Sequence, residues 1–392
     1  MKKLLLSGLL LLIPLTTHGN ALSNFAALRN AGLLVVDPQG RSLRSDRANQ
    51  AFIPASTTKL VTAWLVLEKW GENHRFHTNF YYEPQNKTLW VKGGGDPYLV
   101  SEELTTIAQQ LRRKGLVQVN AIALDTSYFA AGLVMPGTGR TNNPYDAVPS
   151  AIAANFNTVN IKKRNGRVIS AEPQTPLTPY AESMGRRFSK GTLRVNTGRN
   201  PRDAETSFAQ LFAALLRRQG IQVESRIIYG QRVPAIPPYY QHYNSRTLGE
   251  VVRPMLKYST NFIANQLILS LAAEHYRRPA NASDVKNYMQ KRLIPLFHSH
   301  NFAMRDGAGL SRANRLSPQQ LVQLLKNFQR WKHLLPEVEP GVYAKSGTLN
   351  GVSTLAGYLV KNNQWKPFAL MMNQSVPHKL RNRIARELRK NY

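Results

Sequence analysis

The sequence predicts an α+β protein, and three observations predict it. Segments with a helical repeat of apolar residues and segments with strand alternation both recur from end to end of the chain. A helix–glycine–strand unit is used twice, first over residues 101–124 and again over 208–228. Beyond the N-terminus, no segment is apolar and long enough to span a bilayer.

The N-terminus sets the compartment. Lys2 and Lys3 precede an apolar run from Leu4 to Leu15, broken by Ser7, Gly8 and Pro14. Gly19 and Ala21 then supply small residues at the −3 and −1 positions of a cleavage site. The pattern predicts a secretory signal removed near Ala21 and a periplasmic mature chain starting near Leu22. The chain has no cysteine. An exported protein without disulfides depends on its core. About 370 mature residues suffice for two or more domains.

Lysine and arginine number 52 against 22 acidic residues, a formal charge of +30, or +28 once Lys2 and Lys3 are removed. Such a field favours polyanionic partners. Export excludes nucleic acid and leaves wall polymers and anionic membrane headgroups as candidates. A solvated basic surface without a specific partner is an equally good reading.

Leu33–Val36, the turn Asp37-Pro38-Gln39-Gly40 and Leu43 predict a hairpin. Ala55–Trp70 has helical spacing and stops at Gly71. Phe76, Thr78, Phe80 and Tyr82 lie on one face of a strand, which Pro84-Gln85-Asn86 turns into Thr88–Val91. Ser101–Lys114 is a helix with Glu102 and Glu103 at its positive end and Arg112, Arg113 and Lys114 at its negative end. Lys162–Asn200 is weakly periodic and reads as loop-rich or as a small subdomain. Pro234–Pro238 reads as a stiff connector. Helices follow near Thr247–Leu256 and Thr260–His275. Ser317-Pro318-Gln319-Gln320 opens another with a capping box. Ala344 and Val352–Val360 read as strands.

Three short motifs carry chemistry. Ser56-Thr57-Thr58-Lys59 starts a helix, and a spacing of three puts the Ser56 hydroxyl and the Lys59 amine on one face. A serine needs a base to become a nucleophile. An amine at the positive end of a buried helix, near another lysine, can serve as that base. Ser259-Thr260-Asn261 opens a second helix. Ser259 is placed to relay a proton to the leaving group, and Asn261 to hold a substrate amide or orient Lys59. Lys345-Ser346-Gly347-Thr348 supplies a fixed positive charge, a glycine for close approach and the Thr348 N–H for an oxyanion hole. Each motif alone is weak. Ser283-Asp284-Val285-Lys286 and Ser299-His300-Asn301 show that such patterns also arise idly.

In this order, the three motifs are the set shared by penicillin-binding proteins and class A β-lactamases. Further stretches narrow the resemblance: Pro54–Lys59, Gly93-Gly94-Gly95-Asp96-Pro97, Asp125–Phe129, Asn155–Val159 and Asp306-Gly307-Ala308-Gly309-Leu310-Ser311-Arg312. Together they resemble the type-4 penicillin-binding proteins, which are serine D-alanyl-D-alanine carboxypeptidases and endopeptidases. The resemblance runs from about Leu33 to Val360. It implies a penicillin-recognising, β-lactamase-like domain, an antiparallel sheet flanked by helices, built from residues 22–75 and 245–392. It also implies an inserted α/β domain over 76–244; its loop-rich part at 162–200 is short for the third domain often nested in this family, which is here reduced or missing. By the same resemblance, Ser56 is acylated by peptidoglycan peptides or by β-lactams as covalent inhibitors. Lys59 is then the base, and Ser259, Asn261, Lys345, Ser346, Gly347 and Thr348 complete the site. An aspartate that contacts the substrate side chain in some members has no clean counterpart here; Asp146 lies nearby but fits a neighbouring stretch better.

Two other functions share parts of this pattern. A β-lactamase of the same fold would need a deacylating glutamate, and no Glu-x-x-Leu-Asn stretch stands between the motifs. A non-enzymatic wall- or membrane-binding protein would explain the charge but not three ordered motifs. No cofactor is implied, and His298-Ser299-His300 lacks the further ligands a metal needs. The C-terminal Lys379–Lys390, with Leu380, Ile384 and Leu388 on one stripe, fits either peripheral contact with an anionic membrane or a docked terminal helix.

Overall fold

The computed structural model describes residues 20–392. The expected signal segment lies outside the described residues as far as residue 19. A short helix α1 (Ala21–Ala26) leads into the predicted hairpin, β1 (Ala31–Val36) and β2 (Ser42–Asp46). A 3-10 turn at Ala55–Thr57 then feeds α2 (Thr58–Trp70). This helix is buried from Thr58 through Leu67, so it runs through the core and not along a surface. Gly71, at φ 76°, ends it in a conformation costly for other residues.

The insertion follows as β3 (His77–Glu83), β4 (Thr88–Lys92), α3 (Ser101–Arg113), β5 (Gln118–Asp125), β6 (Thr158–Arg164), β7 (Arg167–Ser170), α4 (Pro179–Arg186), β8 (Gly191–Asn196), α5 (Pro201–Arg218), β9 (Gln222–Ile228) and β10 (Tyr240–Tyr243). The chain then returns through α6 (Leu248–Tyr258), α7 (Asn261–Tyr276), α8 (Ala282–Phe297) and α9 (Pro318–Phe328). It closes with β11 (Glu337–Glu339), β12 (Val342–Leu349), β13 (Val352–Lys361), β14 (Gln364–Met372) and α10 (Leu380–Asn391).

The two ends of the chain build one antiparallel six-stranded sheet in the order β11-β12-β13-β14-β1-β2. The run Leu33–Val36 is apolar without a break because both faces of β1 are covered. Leu34 and Val36 join the core of α2, α7 and α9, while Leu33 and Val35 pack with α1 and α10. The predicted capping box holds, with Ser317 and Gln320 starting α9; the structure shows a second one at the start of α6, between Thr247 and Glu250.

The second sheet, β10-β3-β4-β5-β9, is mixed, with parallel pairs β4–β5 and β5–β9. The two helix–glycine–strand units deliver β5 and β9. Their helices α3 and α5 cover one face of the sheet through Leu104, Ile107, Phe208 and Phe212. Each unit thus lays a helix on the same face and adds one parallel strand to the sheet. Residues 162–200, read as loop-rich or as a small subdomain, hold most of a third sheet, β7-β6-β8, backed by α4. Its core is small: Ile161, Ala181, Met184 and Val195. The turn-rich sequence concealed it because hairpin tips and short strands supply little periodicity.

The C-terminal helix is docked. Leu380, Ile384 and Leu388 are buried, and Glu387 accepts hydrogen bonds from the N–H groups of Ala21 (2.7 Å) and Leu22 (3.0 Å). The stripe that could have met a membrane is taken up by the chain's own core.

Candidate active site

Ser56 sits in the 3-10 turn before α2. The Pro54 carbonyl is the anchor of this turn, accepting from Thr57 Oγ1 at 2.6 Å and from Thr354 Oγ1 of β13 at 2.8 Å. The serine is thus presented on a rigid corner between helix and sheet.

Lys59, one turn on, is fully buried. Its Nζ lies 2.7 Å from Asn261 Oδ1, 2.7 Å from the Ala308 carbonyl oxygen and 3.1 Å from Ser56 Oγ. Burial depresses its pKa well below the usual lysine range, and Lys345 pushes in the same direction, while Asp306 opposes both. A neutral amine has two N–H donors and one lone pair. The two carbonyl oxygens take both donors, which turns the lone pair toward the Ser56 hydroxyl.

Asn261 is carried to Lys59 by the junction of α6 and α7, where Ser259 adopts the left-handed conformation (φ 59°). The Asn261 Nδ2 donates to the Tyr145 carbonyl at 3.2 Å, so the insertion also touches the site. Ser259 lies two residues away, half-buried, and its hydroxyl has no hydrogen-bond partner among the described residues.

Lys345 is on β12, almost wholly buried, with Nζ donating to the Ser346 carbonyl at 2.6 Å. Burial, followed by the nearby Arg381 guanidinium, lowers its pKa to about 7. β11 pairs only with Val342 and Tyr343, so β12 from Lys345 onward has a strand on one side only. An extended peptide fits such an edge. Gly347 passes so close to Ser56 that a Cβ there would lie 2.8 Å from the Ser56 nitrogen. Thr348 is exposed; its Oγ1 accepts from Arg381 of α10 at 2.7 Å, and Arg381 also donates to the Gly347 carbonyl at 2.8 Å.

The structure therefore brings Ser56, Lys59, Asn261 and the Lys345–Thr348 strand together from three distant stretches. It also adds groups that motif reasoning did not assign. Asp306 is wholly buried and gathers the N–H groups of Ala308, Gly309, Leu310 and Ser311 and the Asn314 amide, at 2.7–3.1 Å. This cage turns the Ala308 carbonyl onto Lys59. Gly309, at φ 84°, lies so near the Ala55–Thr57 turn that a Cβ would fall 1.9 Å from the Ala55 carbonyl oxygen. Sequence had singled out the Asp306–Arg312 stretch without giving it a role; an aspartate followed by small residues is a signal for such a loop. Arg381 had no local signal, since it stands among other basic residues. Asp146 is engaged by its own loop, accepting from Gly139 N at 2.8 Å and Thr141 Oγ1 at 2.5 Å. Ser283 and Lys286 belong to the first turns of α8, away from this cluster.

Comparison with known proteins shows the family to which the chain belongs. The family model described as "D-Ala-D-Ala carboxypeptidase 3 (S13) family" matches residues 21–337. The D-alanyl-D-alanine carboxypeptidase DacB of Haemophilus influenzae is 24% identical, covering 84% of this chain and 82% of the relative. A D-alanyl-D-alanine carboxypeptidase of an Actinomadura species is also 24% identical, covering 84% and 75%. The crystal structure of penicillin binding protein 4 from H. influenzae superposes with a TM-score of 0.76 at 21% identity, covering 95% of this chain and 99% of that one. A family match over most of the chain, joined to the same penicillin-recognising architecture, leads to one conclusion: this chain belongs to the D-Ala-D-Ala carboxypeptidase 3 (S13) family, the type-4 penicillin-binding proteins.

Proposed function

We propose that the chain is an exported serine DD-peptidase that cleaves D-alanine-containing peptides and cross-links of peptidoglycan through an acyl-enzyme on Ser56. The observation that carries this reading is the amine of Lys59, held by two carbonyl oxygens so that its lone pair meets the Ser56 hydroxyl. The Ser56 oxygen attacks the carbonyl carbon of the D-alanyl bond as Lys59 takes its proton. The N–H groups of Ser56 and Thr348 receive the developing oxyanion. The proton passes to the departing amine, with Ser259 as relay. Water then hydrolyses the ester and Ser56 recovers its proton. Lys345, when protonated, holds the terminal carboxylate of a carboxypeptidase substrate, and Ser346 and Gly347 line the bound strand.

β-Lactams present a strained amide and a carboxylate to the same groups. Fluorescent penicillin is therefore expected to label the wild-type chain and to leave Ser56→Ala unlabelled. Equal labelling of the variant would remove Ser56 from the mechanism. Fractionation of expressing cells tests export, with the mature protein expected in the periplasm.

The pH dependence has two limbs of known sign. Lys59 works only when neutral, so kcat/KM falls on the acid side as it gains a proton. Lys345 binds a carboxylate only when charged, so kcat/KM falls on the alkaline side as pH rises through about 7. Arg381→Gln removes a neighbouring positive charge and is expected to move the alkaline limb to higher pH. A limb that stays in place would show that Arg381 does not act on Lys345.

A further inference from the structure

Where the inserted sheet meets the penicillin-recognising body lies a cavity of about 560 Å³, within the range of small-ligand sites. Its walls are the loop after β5, the segment Val148–Ala151, the first turns of α5, and Tyr229–Arg232 after β9. None of the residues placed in the acylation site lines it.

Its polar groups converge in an unusual way. Glu205 on α5 lines the cavity, is 7% exposed, and has one side-chain partner, Thr126 Oγ1 at 3.3 Å. Burial raises its pKa, against the pull of the Thr126 hydrogen bond and of Arg202. A buried carboxyl with a single long hydrogen bond is short of partners. Opposite in charge stand three guanidiniums that also line the cavity: Arg199, Arg202 and Arg232. Arg199 donates through Nη2 to the carbonyls of Thr138 and Gly139, while its buried Nε has no partner. Arg202 lies 5.6 Å from the centre of the Tyr229 ring, and the Tyr229 hydroxyl is tied to Thr206 Oγ1 at 2.8 Å. Arginine forks match carboxylates, and an under-bonded glutamate accepts amide N–H groups. A ligand satisfying both carries carboxylates and peptide N–H groups together.

We infer that this cavity is a second binding site, distinct from the Ser56 cleft, for a short carboxylate-bearing peptide of the peptidoglycan stem class. The ligand class rests on the function proposed above; the site itself rests on Glu205 and the three arginines. The inference also gives part of the large positive charge a specific task.

The test uses the full chain with Ser56 acylated by benzylpenicillin, so that the cleft is blocked. The probe is the tripeptide L-Ala-γ-D-Glu-diaminopimelate, followed by titration calorimetry. Saturable binding is expected, weakened tenfold or more in Arg202→Glu/Arg232→Glu, two exposed positions that leave the fold intact. Glu205→Gln, a near-isosteric change, is expected to weaken binding about threefold or more. Both variants should take up fluorescent penicillin at the wild-type rate. Absence of saturable binding, affinity unchanged in both variants, or equal affinity for the tripeptide with its carboxyls amidated would each overturn the inference. Should penicillin fail to label the wild-type chain, the proposed function fails, and binding is then read on the unlabelled protein, where the same criteria decide this site.

Discussion

Lys59→Met is expected to slow acylation of Ser56 by about 10²–10⁴-fold, the usual worth of a positioned general base. The fold should survive. Methionine fills a similar volume and removes the need to bury a polar amine, while the Asn261 and Ala308 oxygens each lose a donor at a cost of about 1–3 kcal/mol. These effects oppose each other, so Tm should move little while the rate collapses. The time course of fluorescent-penicillin labelling measures the rate, and a thermal melt checks the fold. Labelling near the wild-type rate would mean that another group takes the Ser56 proton.

Asp306→Asn carries the second large effect, and it acts through the loop. The carboxylate accepts five hydrogen bonds, four of them wholly buried. A carboxamide keeps one accepting oxygen and turns an NH₂ toward donors that cannot accept. Losing two or more bonds to a charged acceptor costs about 1.5–3 kcal/mol each. A fall in Tm of roughly 5–15 °C is expected. Acylation should also drop, because the Ala308 carbonyl no longer holds the amine in place. A purely structural role would leave the pH profile alone. Asp306 raises the Lys59 pKa, so its neutralisation should shift the acid limb of kcat/KM to lower pH. An unshifted limb in folded protein would confine Asp306 to stability.

How much of this was legible in the sequence differs from element to element. The hairpin at 31–46, the helix from Ala55, both helix–glycine–strand units and the capping box at Ser317 follow from local rules: periodicity, glycine stops and side-chain caps. The small sheet over 158–196 was legible only as a choice between loops and a small subdomain, because its strands are short, basic and little buried, so burial leaves little pattern in them. The terminal helix was ambiguous for a different reason. A narrow apolar stripe flanked by arginines suits a membrane surface or a protein core equally, and only the presence of α1 and the sheet against it decides the matter.

The sequence alone determined the chemistry on offer: a serine three residues before a lysine, an asparagine opening a helix, and a lysine two residues before a glycine on a strand. These are local facts of type and spacing, and they survive any arrangement of the rest. Tertiary structure alone decided the surroundings of the lysine. Its burial, its two carbonyl partners from Asn261 and Ala308, the charge of Asp306 behind the loop and that of Lys345 across the cleft come from segments hundreds of residues apart. A proton affinity is set by the whole electrostatic surroundings of a group, and a one-dimensional pattern records only its neighbours along the chain.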